Sequence, residues 1–359
     1  MGSEYRLEYP SGQAAPFRSS LFNPLGSDLK EDRKIWYGNP TGLMQLNNVG
    51  YTWANGLYLQ MREQFWIPHK IDITGDINDY QNLTPIERKA YDGILSYLTY
   101  LDSIQAKNLT YVVQPITAPE VANCLGEQNS QERMHGQSYQ YIIETIIEER
   151  RRNSIYDFWR TDAILLDRCT YIASLYQRYV DTQKPEDYFI TLVADYLLEG
   201  LYFYNGFVYY YNLASRQMMG GTSDIVKMIN RDELAHVRLF QKLVVEGLQV
   251  FPHSKEQIYG LFANAVEHEI LWTNHIMQGE VLGITEESTE RYTKYLCNLR
   301  LSAIGLDKLY LEERYQKSPY VHLESFADTS KEGTTKGNYF EAVVTGYLGY
   351  SAINGWDEI

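Results

Sequence analysis

No proline interrupts the chain between Pro119 and Pro185, and there and beyond, apolar residues recur with a helical period and little strict alternation. That pattern excludes a body built from sheets and makes the chain all-α. Local signals mark where helices begin. Thr84-Pro85-Ile86-Glu87 reads as a capping box with proline at the first helical position, and Thr117-Ala118-Pro119-Glu120 is similar in pattern. Ser254 with Gln257, just after Pro252, gives a third start. Helices are expected near 50–64, 85–113, 118–149, 154–183, 187–214, 223–248, 255–280 and 286–314. Residues 1–45 are mixed and turn-rich, and read as an N-terminal extension packed on a helical domain of residues 46–324. Residues 325–359 differ: SKEGTTKGN has the composition of a flexible linker, and the aromatic segment YFEAVVTGYLGYSAINGWDEI follows it. A sticky end on a tether is either a docking peptide or a terminal helix packed on its own domain, and the pattern alone leaves both open.

Within the helices, acids stand where core residues belong. Over 118–149, Glu132, His135, Tyr139, Ile142 and Ile146 form one stripe; over 223–248, Val226, Ile229, Glu233, His236 and Phe240 form another. Asp102 continues the stripe Tyr91, Leu95, Leu98, and Glu199 sits among Leu192, Tyr196, Phe203 and Phe207. Glu132 with His135, and Glu233 with His236, are Glu-x-x-His motifs whose two members share a helix face. With 46 acidic residues and 7 histidines in 359, about one acidic-x-x-His pair arises by chance, so neither motif decides anything alone. Placement on the buried face does, because an uncompensated buried charge costs several kcal/mol. A buried Glu–His or Asp–Arg pair would account for one exception. Four acids on separate helices, two of them with a histidine one turn later, match the bundle that holds two metal ions between its helices. Asp102 takes the place of one glutamate in that pattern. Four anionic and two neutral ligands balance two divalent cations. Oxygen and imidazole donors suit iron or manganese, and the lack of thiolate argues against structural zinc. The candidate ligands of this dinuclear centre are therefore Asp102, Glu132, His135, Glu199, Glu233 and His236. His69, His253, His268, His275 and His322 read as surface or capping residues.

Bulk properties narrow the function classes. The net charge of -14 argues against broad binding of nucleic-acid backbones. No apolar run is long enough to span a bilayer, and MGSEYRLEYP has neither the basic start nor the apolar block of a signal peptide. Arg6 occupies the position where a myristoylation signal needs Ser or Thr. Cys124, Cys169 and Cys297 are far apart and form no CxxC pair, which points to a reducing cytoplasm. The 32 tyrosines suit amphipathic helix faces, so a redox role for any one of them must come from its neighbours.

At these residues the chain resembles the small, radical-generating subunit of class I ribonucleotide reductase. FWIPHKIDITGDINDY (65–80), YLDSIQAKN (100–108), ERMHGQSY (132–139), LLEGLYFYNGF (197–207) and INRDELAH (229–236) are similar to that family's segments, and the resemblance covers most of the chain. It implies a ferritin-like fold with the six ligands at the matched positions, holding two irons, or alternatively two manganese ions or a manganese–iron pair. It implies that Tyr139, four residues after His135, holds a stable radical, enclosed by Phe203, Phe207 and Ile229 where water and reductants cannot reach. Trp66 matches the tryptophan that relays electrons to the cluster, and Asp232 the aspartate linking it to His135. Tyr347, with Tyr350 as its rival, matches the tail tyrosine that passes the radical to a cysteine of the large subunit, which reduces ribonucleotides to deoxyribonucleotides. The implied partners are that large catalytic subunit, engaged through the C-terminal tail, a second copy in a homodimer, and an activating flavoprotein. The chain has no GxxxxGK[ST] loop, consistent with nucleotide chemistry residing elsewhere. Gly136 departs from the family's usual Ser or Ala, and a mid-helix glycine weakens a helix by up to roughly 1 kcal/mol. Gln131 carries no diagnostic weight. The alternatives on the same fold are a dimetal oxidase acting on a lipid or other small molecule, and a ferritin-like storage protein. Tyr139, Trp66, Asp232 and an aromatic tail together favour the reductase subunit.

Overall fold

The computed structural model describes residue 17 and residues 21–327, and no strand occurs among them. The helices are α1 (Thr52–Glu63), α2 (Asp76–Asn82), α3 (Pro85–Val112), α4 (Pro119–Ile146), α5 (Glu149–Thr161), α6 (Ala163–Thr182), α7 (Pro185–Leu197), α8 (Tyr204–Ser215), α9 (Gly220–Val250), α10 (Lys255–Met277) and α11 (Glu286–Ala303). α3 packs on α4, α4 on α9, α9 on α7, and α7 on α3, which closes a four-helix ring. α1 covers α4, α5 covers α3, α6 lies on α7, and α10 bridges α11 and α3. This is the ferritin-like bundle, with a continuous apolar core that includes Leu98, Ile142, Leu192 and Phe240.

Two helix starts form as their sequences dictate. Glu87 donates its backbone N–H to Thr84 Oγ1 at 3.3 Å while its carboxylate accepts the Thr84 N–H at 3.0 Å. Ser254 Oγ accepts the Gln257 N–H at 3.0 Å. Thr117 and Glu120 do not follow the same course, since α4 has Ala118 as its N-cap without a side-chain bond. Thr117 instead donates to the Lys34 carbonyl at 2.6 Å and accepts the Gly38 N–H at 3.2 Å. Glu120 accepts from Gly50 N at 2.8 Å and pairs with Arg33 at 2.7 Å. A capping pattern has been turned to tertiary use: it fastens the segment before α1 to the bundle. Trp36, 4% exposed, adds an indole bond of 3.1 Å to the Tyr188 hydroxyl.

α2 was not legible in the periodicity, yet it prepares the helix that carries two candidate ligands. Asp79 accepts the Met219 N–H at 2.9 Å, and Asp76 accepts those of Gly221 at 3.0 Å and Thr222 at 2.5 Å, so α9 is capped by carboxylates from another helix. Three expected helices have different bounds. The 154–183 helix breaks at Asp162, whose carboxylate accepts the Ile164 and Leu165 N–H groups at 3.1 Å and is met by His275 at 2.7 Å. The 286–314 helix ends at Ala303, just before Gly305 at φ +79. The 187–214 helix is interrupted by a π turn, Leu198–Tyr202. A Cβ at Gly136 would meet nothing within 4 Å, so that glycine serves no close approach.

Candidate metal centre

α3, α4, the π turn and α9 each turn an acid into the middle of the ring. Asp102, Glu132, His135 and Glu233 bring one ligand atom each within 4.8 Å of one another, and so do Glu132, Glu199, Glu233 and His236. All six side chains are buried, between 0% and 1% exposed. The two groups share Glu132 and Glu233. Two cations held here would share Glu132 and Glu233, with Asp102 and His135 completing one group and Glu199 and His236 the other.

Unsatisfied atoms support the fit. Both Asp102 oxygens, Glu132 Oε2, Glu199 Oε2, Glu233 Oε1 and His135 Nδ1 are buried without a hydrogen-bond partner. Buried polar atoms are otherwise almost always paired, and these converge on one volume. Cations there would satisfy all of them, so the carboxylate and imidazole groups fit a dinuclear metal site. No cysteine belongs to either group.

Both imidazoles are aimed the same way. His135 Nδ1 lies 3.1 Å from Glu233, 3.5 Å from Asp102 and 3.6 Å from Glu132. His236 Nδ1 lies 2.8 Å from Glu233, 3.3 Å from Glu132 and 3.6 Å from Glu199. Each Nε2 points outward to an oxygen: His135 to Asp232 at 3.4 Å, His236 to Gln131 at 2.9 Å. The supports cross over, because the residue preceding the glutamate of each motif holds the histidine of the other motif. One support is an aspartate and one a neutral amide, so His135 has the more electron-rich imidazole. Asp232 also accepts the Trp66 indole N–H at 2.8 Å and is steadied by Arg231 at 3.1 Å. Trp66, Asp232 and His135 therefore form one continuous hydrogen-bonded line from near the surface to the centre.

Without cations, protons take their place. Burial pushes Asp102 up to about 7, with Glu132 and Glu233 adding to the shift and His135 opposing it. Burial, then Glu233 and Glu132, hold Glu199 well above the usual carboxylate range. Burial would lower both histidines, but the surrounding carboxylates outweigh it and raise them. Burial would raise Glu233, but His236 and His135 outweigh it and hold it low. A metal ion must displace the Asp102 proton, which is present in a larger fraction of molecules as pH falls. The apparent affinity for Mn(II) should therefore fall as pH drops through about 7, by at least about tenfold per unit, because Glu199, His135 and His236 also give up protons. Mn(II) titrations at roughly pH 6, 7 and 8 read this directly, and a flat profile would contradict it.

Tyr139 is 0% exposed, as are Phe203 and Phe207, and Ile229 is 1% exposed. The Tyr139 hydroxyl makes no hydrogen bond within 3.5 Å. Burial first, then Asp102 and Glu233, raise its pKa well above that of an ordinary phenol. The phenol thus stays protonated, and removing its electron requires removing its proton too, toward Asp102 as the carboxylate acting on it most strongly. Tyr347 and Tyr350 lie outside the described residues, with the linker and most of the tail.

Some neighbours of the centre carry sequence signals of the same kind. Gln105 Nε2 and Gln128 Nε2 donate to Glu199 Oε1 at 2.8 and 2.7 Å, and Tyr176 donates to Gln105 at 3.1 Å. Gln105 lies three residues after Asp102 and Gln128 four before Glu132, so both are polar residues on buried stripes, the same anomaly that exposed the acids. Asp195, one turn before Glu199 and fully buried, accepts from Asn108 at 2.8 Å, and burial pushes it up to about 8. Gln131, three residues after Gln128 and four before His135, lies on the same buried stripe, but its partner His236 is on a helix more than a hundred residues away. His69 and His322 are exposed, and His253 and His275 cap backbone or carboxylate groups, as expected; His268 differs, half-buried with its ring against Tyr171.

Fold and site together define a ferritin-like protein with a dimetal carboxylate centre. The chain belongs to the ribonucleotide reductase small-chain family, whose model, described as "Ribonucleotide reductase, small chain", matches residues 43–319. It is 36% identical over 341 residues to the ribonucleoside-diphosphate reductase subunit beta of Treponema pallidum, covering 94% of this chain and 96% of that one. It is 31% identical over 330 residues to the protein of that name from Halalkalibacterium halodurans, covering 90% and 94%. Among solved structures, the ribonucleotide reductase R2 subunit from Clostridium botulinum superposes with a TM-score of 0.83 at 39% identity, covering 88% of this chain and 99% of that one.

Proposed function

We propose that this chain is the radical-generating small subunit of ribonucleoside-diphosphate reductase, an oxidoreductase that works with a large catalytic subunit in making deoxyribonucleotides. The observation that carries the reading is two overlapping carboxylate–histidine groups sharing Glu132 and Glu233, with a fully buried tyrosine one helical turn from His135. Asp102, Glu132, His135, Glu199, Glu233 and His236 would hold the metals, with Glu132 and Glu233 belonging to both groups. Iron is our first assignment, with dimanganese or mixed manganese–iron as alternatives, because oxygen and imidazole donors suit all three. When bound, such a centre supplies a one-electron oxidant. The chain's residues do the rest. Tyr139 yields an electron and the proton that its raised pKa keeps in place. The apolar side chains of Phe203, Phe207 and Ile229 keep water away from it. Trp66 delivers an electron inward through Asp232 and His135 during activation, and the same line carries the hole outward in turnover.

The arrangement we infer for the whole chain is an extension of residues 1–45, a dimetal domain of residues 46–324 and a tail of residues 325–359. The tail docks the large subunit and presents Tyr347 to it. A homodimer in the cytoplasm, with an activating flavoprotein as a further partner, completes the reading. Mixing metal-loaded, oxygen-treated protein with a large subunit should produce ribonucleotide reduction. A peptide of residues 340–359 in excess should inhibit it competitively; activity indifferent to the peptide would remove the docking role from the tail.

A further inference from the structure

Glu199 is the one candidate ligand that does not sit on an α-helix; it lies in the π turn Leu198–Tyr202. A π turn holds an extra residue, interrupts the regular ladder of the helix, and persists where surrounding groups fix it. Two buried arginines do so here, Arg168 at 1% and Arg300 at 3% exposure. Arg300, on α11, donates Nε to the Gly200 carbonyl at 2.9 Å. Its own carbonyl accepts the Tyr196 hydroxyl at 3.0 Å, so one residue grips both the last turn of α7 and the π turn. Arg168, on α6, donates to the Tyr202 carbonyl at 3.3 Å. It pairs with Glu269 of α10 and stacks on the Tyr97 and Tyr202 rings, 3.7 and 5.0 Å from their centroids. Gly200 is matched to this grip: a Cβ there would stand 2.8 Å from Arg300 Nε.

We propose that Arg300 is a positioning residue for the metal centre, holding the π turn through Gly200 so that the Glu199 carboxylate faces the His236 site. Arg168 is the second anchor. Released, the turn relaxes toward α geometry, and a register change of one residue rotates a side chain by about 100°. That swings Glu199 away from the centre. The consequence is asymmetric: the Glu132–Glu199–Glu233–His236 group loses a member while Asp102, Glu132, His135 and Glu233 keep all four. This inference rests on the proposed role of Glu199 as a ligand.

The test uses the full chain and Mn(II) as probe, with binding titrations and electron paramagnetic resonance. The unaltered protein should bind two ions and give the signal of a coupled pair. Arg300→Met should hold one ion at unaltered affinity and the other about 10- to 100-fold more weakly, with the coupled signal replaced by that of isolated ions. Arg300→Lys, which keeps one donor, should recover part of the second site. Gly200→Ala should give the same split from the other side of the contact. Two ions at unaltered affinity with a coupled signal in Arg300→Met would overturn the proposal, as would equal weakening of both sites. If Arg300→Met does not unfold cooperatively from a helical state, Gly200→Ala, which leaves α11 unaltered, decides by the same readings. Failure of the unaltered chain to bind two ions would instead overturn the ligand reading.

Discussion

Tyr139→Phe protein should bind two metals and remain folded, yet give no tyrosyl radical after oxygen treatment and only background reduction with the large subunit. The hydroxyl is the chemical difference, and it makes no hydrogen bond within 3.5 Å. The change removes one buried hydroxyl facing Asp102 and no apolar packing, so the variant should stay folded, within about 1–3 kcal/mol of the parent. The phenyl ring fills nearly the same volume, so the centre beside it keeps its shape. A stable variant with intact metal content and no radical separates a redox role from a structural one. Full reductase activity in Tyr139→Phe would show that the oxidising equivalent is stored elsewhere, with the metals themselves as the first candidate.

The second large effect concerns the bridge. Glu233 belongs to both ligand groups, whereas Glu199 belongs to one. Glu233→Gln should therefore weaken both sites together, where Glu199→Gln weakens one. Each occupied site stabilises the fold by about 2.7 kcal/mol when free metal stands at one hundred times its dissociation constant, so the parent gains roughly 5 kcal/mol in all. Glu233→Gln should lose most of that gain, and thermal unfolding with and without Mn(II) measures it. Metal-free Glu233→Gln also loses the carboxylate that lies 3.1 Å from His135 and 2.8 Å from His236. The histidines can shed their protons in response, so the metal-free loss should stay below the roughly 3–5 kcal/mol of a stranded buried ion pair. Equal metal-induced stabilisation of parent and variant would mean that Glu233 does not bridge.

Much of the site was legible in sequence because burial of a helical face is a local property. The stripes holding Asp102, Glu132, Glu199 and Glu233 are set by residues within a few turns of each acid, and so is the placement of His135, His236 and Tyr139. The Thr84 capping box is likewise closed within four residues. Where a local signal met a distant competitor, the competitor decided the outcome. Thr117 left its cap for the Lys34 carbonyl, and Asp162 broke an expected helix while meeting His275 from α10.

By itself, then, the sequence determined that four helical segments must bury acids, which residues those are, and that two carry a histidine one turn on. The tertiary structure alone decided how these groups divide: that Glu132 and Glu233 are shared, that Gln131 supports His236 while Asp232 supports His135, and that Glu199 stands in a π turn fastened by Arg300. The physical reason is range. Helical period is written by neighbours, but a bridge, a crossed support or a grip on a turn depends on residues some hundred positions apart, brought together only when the helices pack.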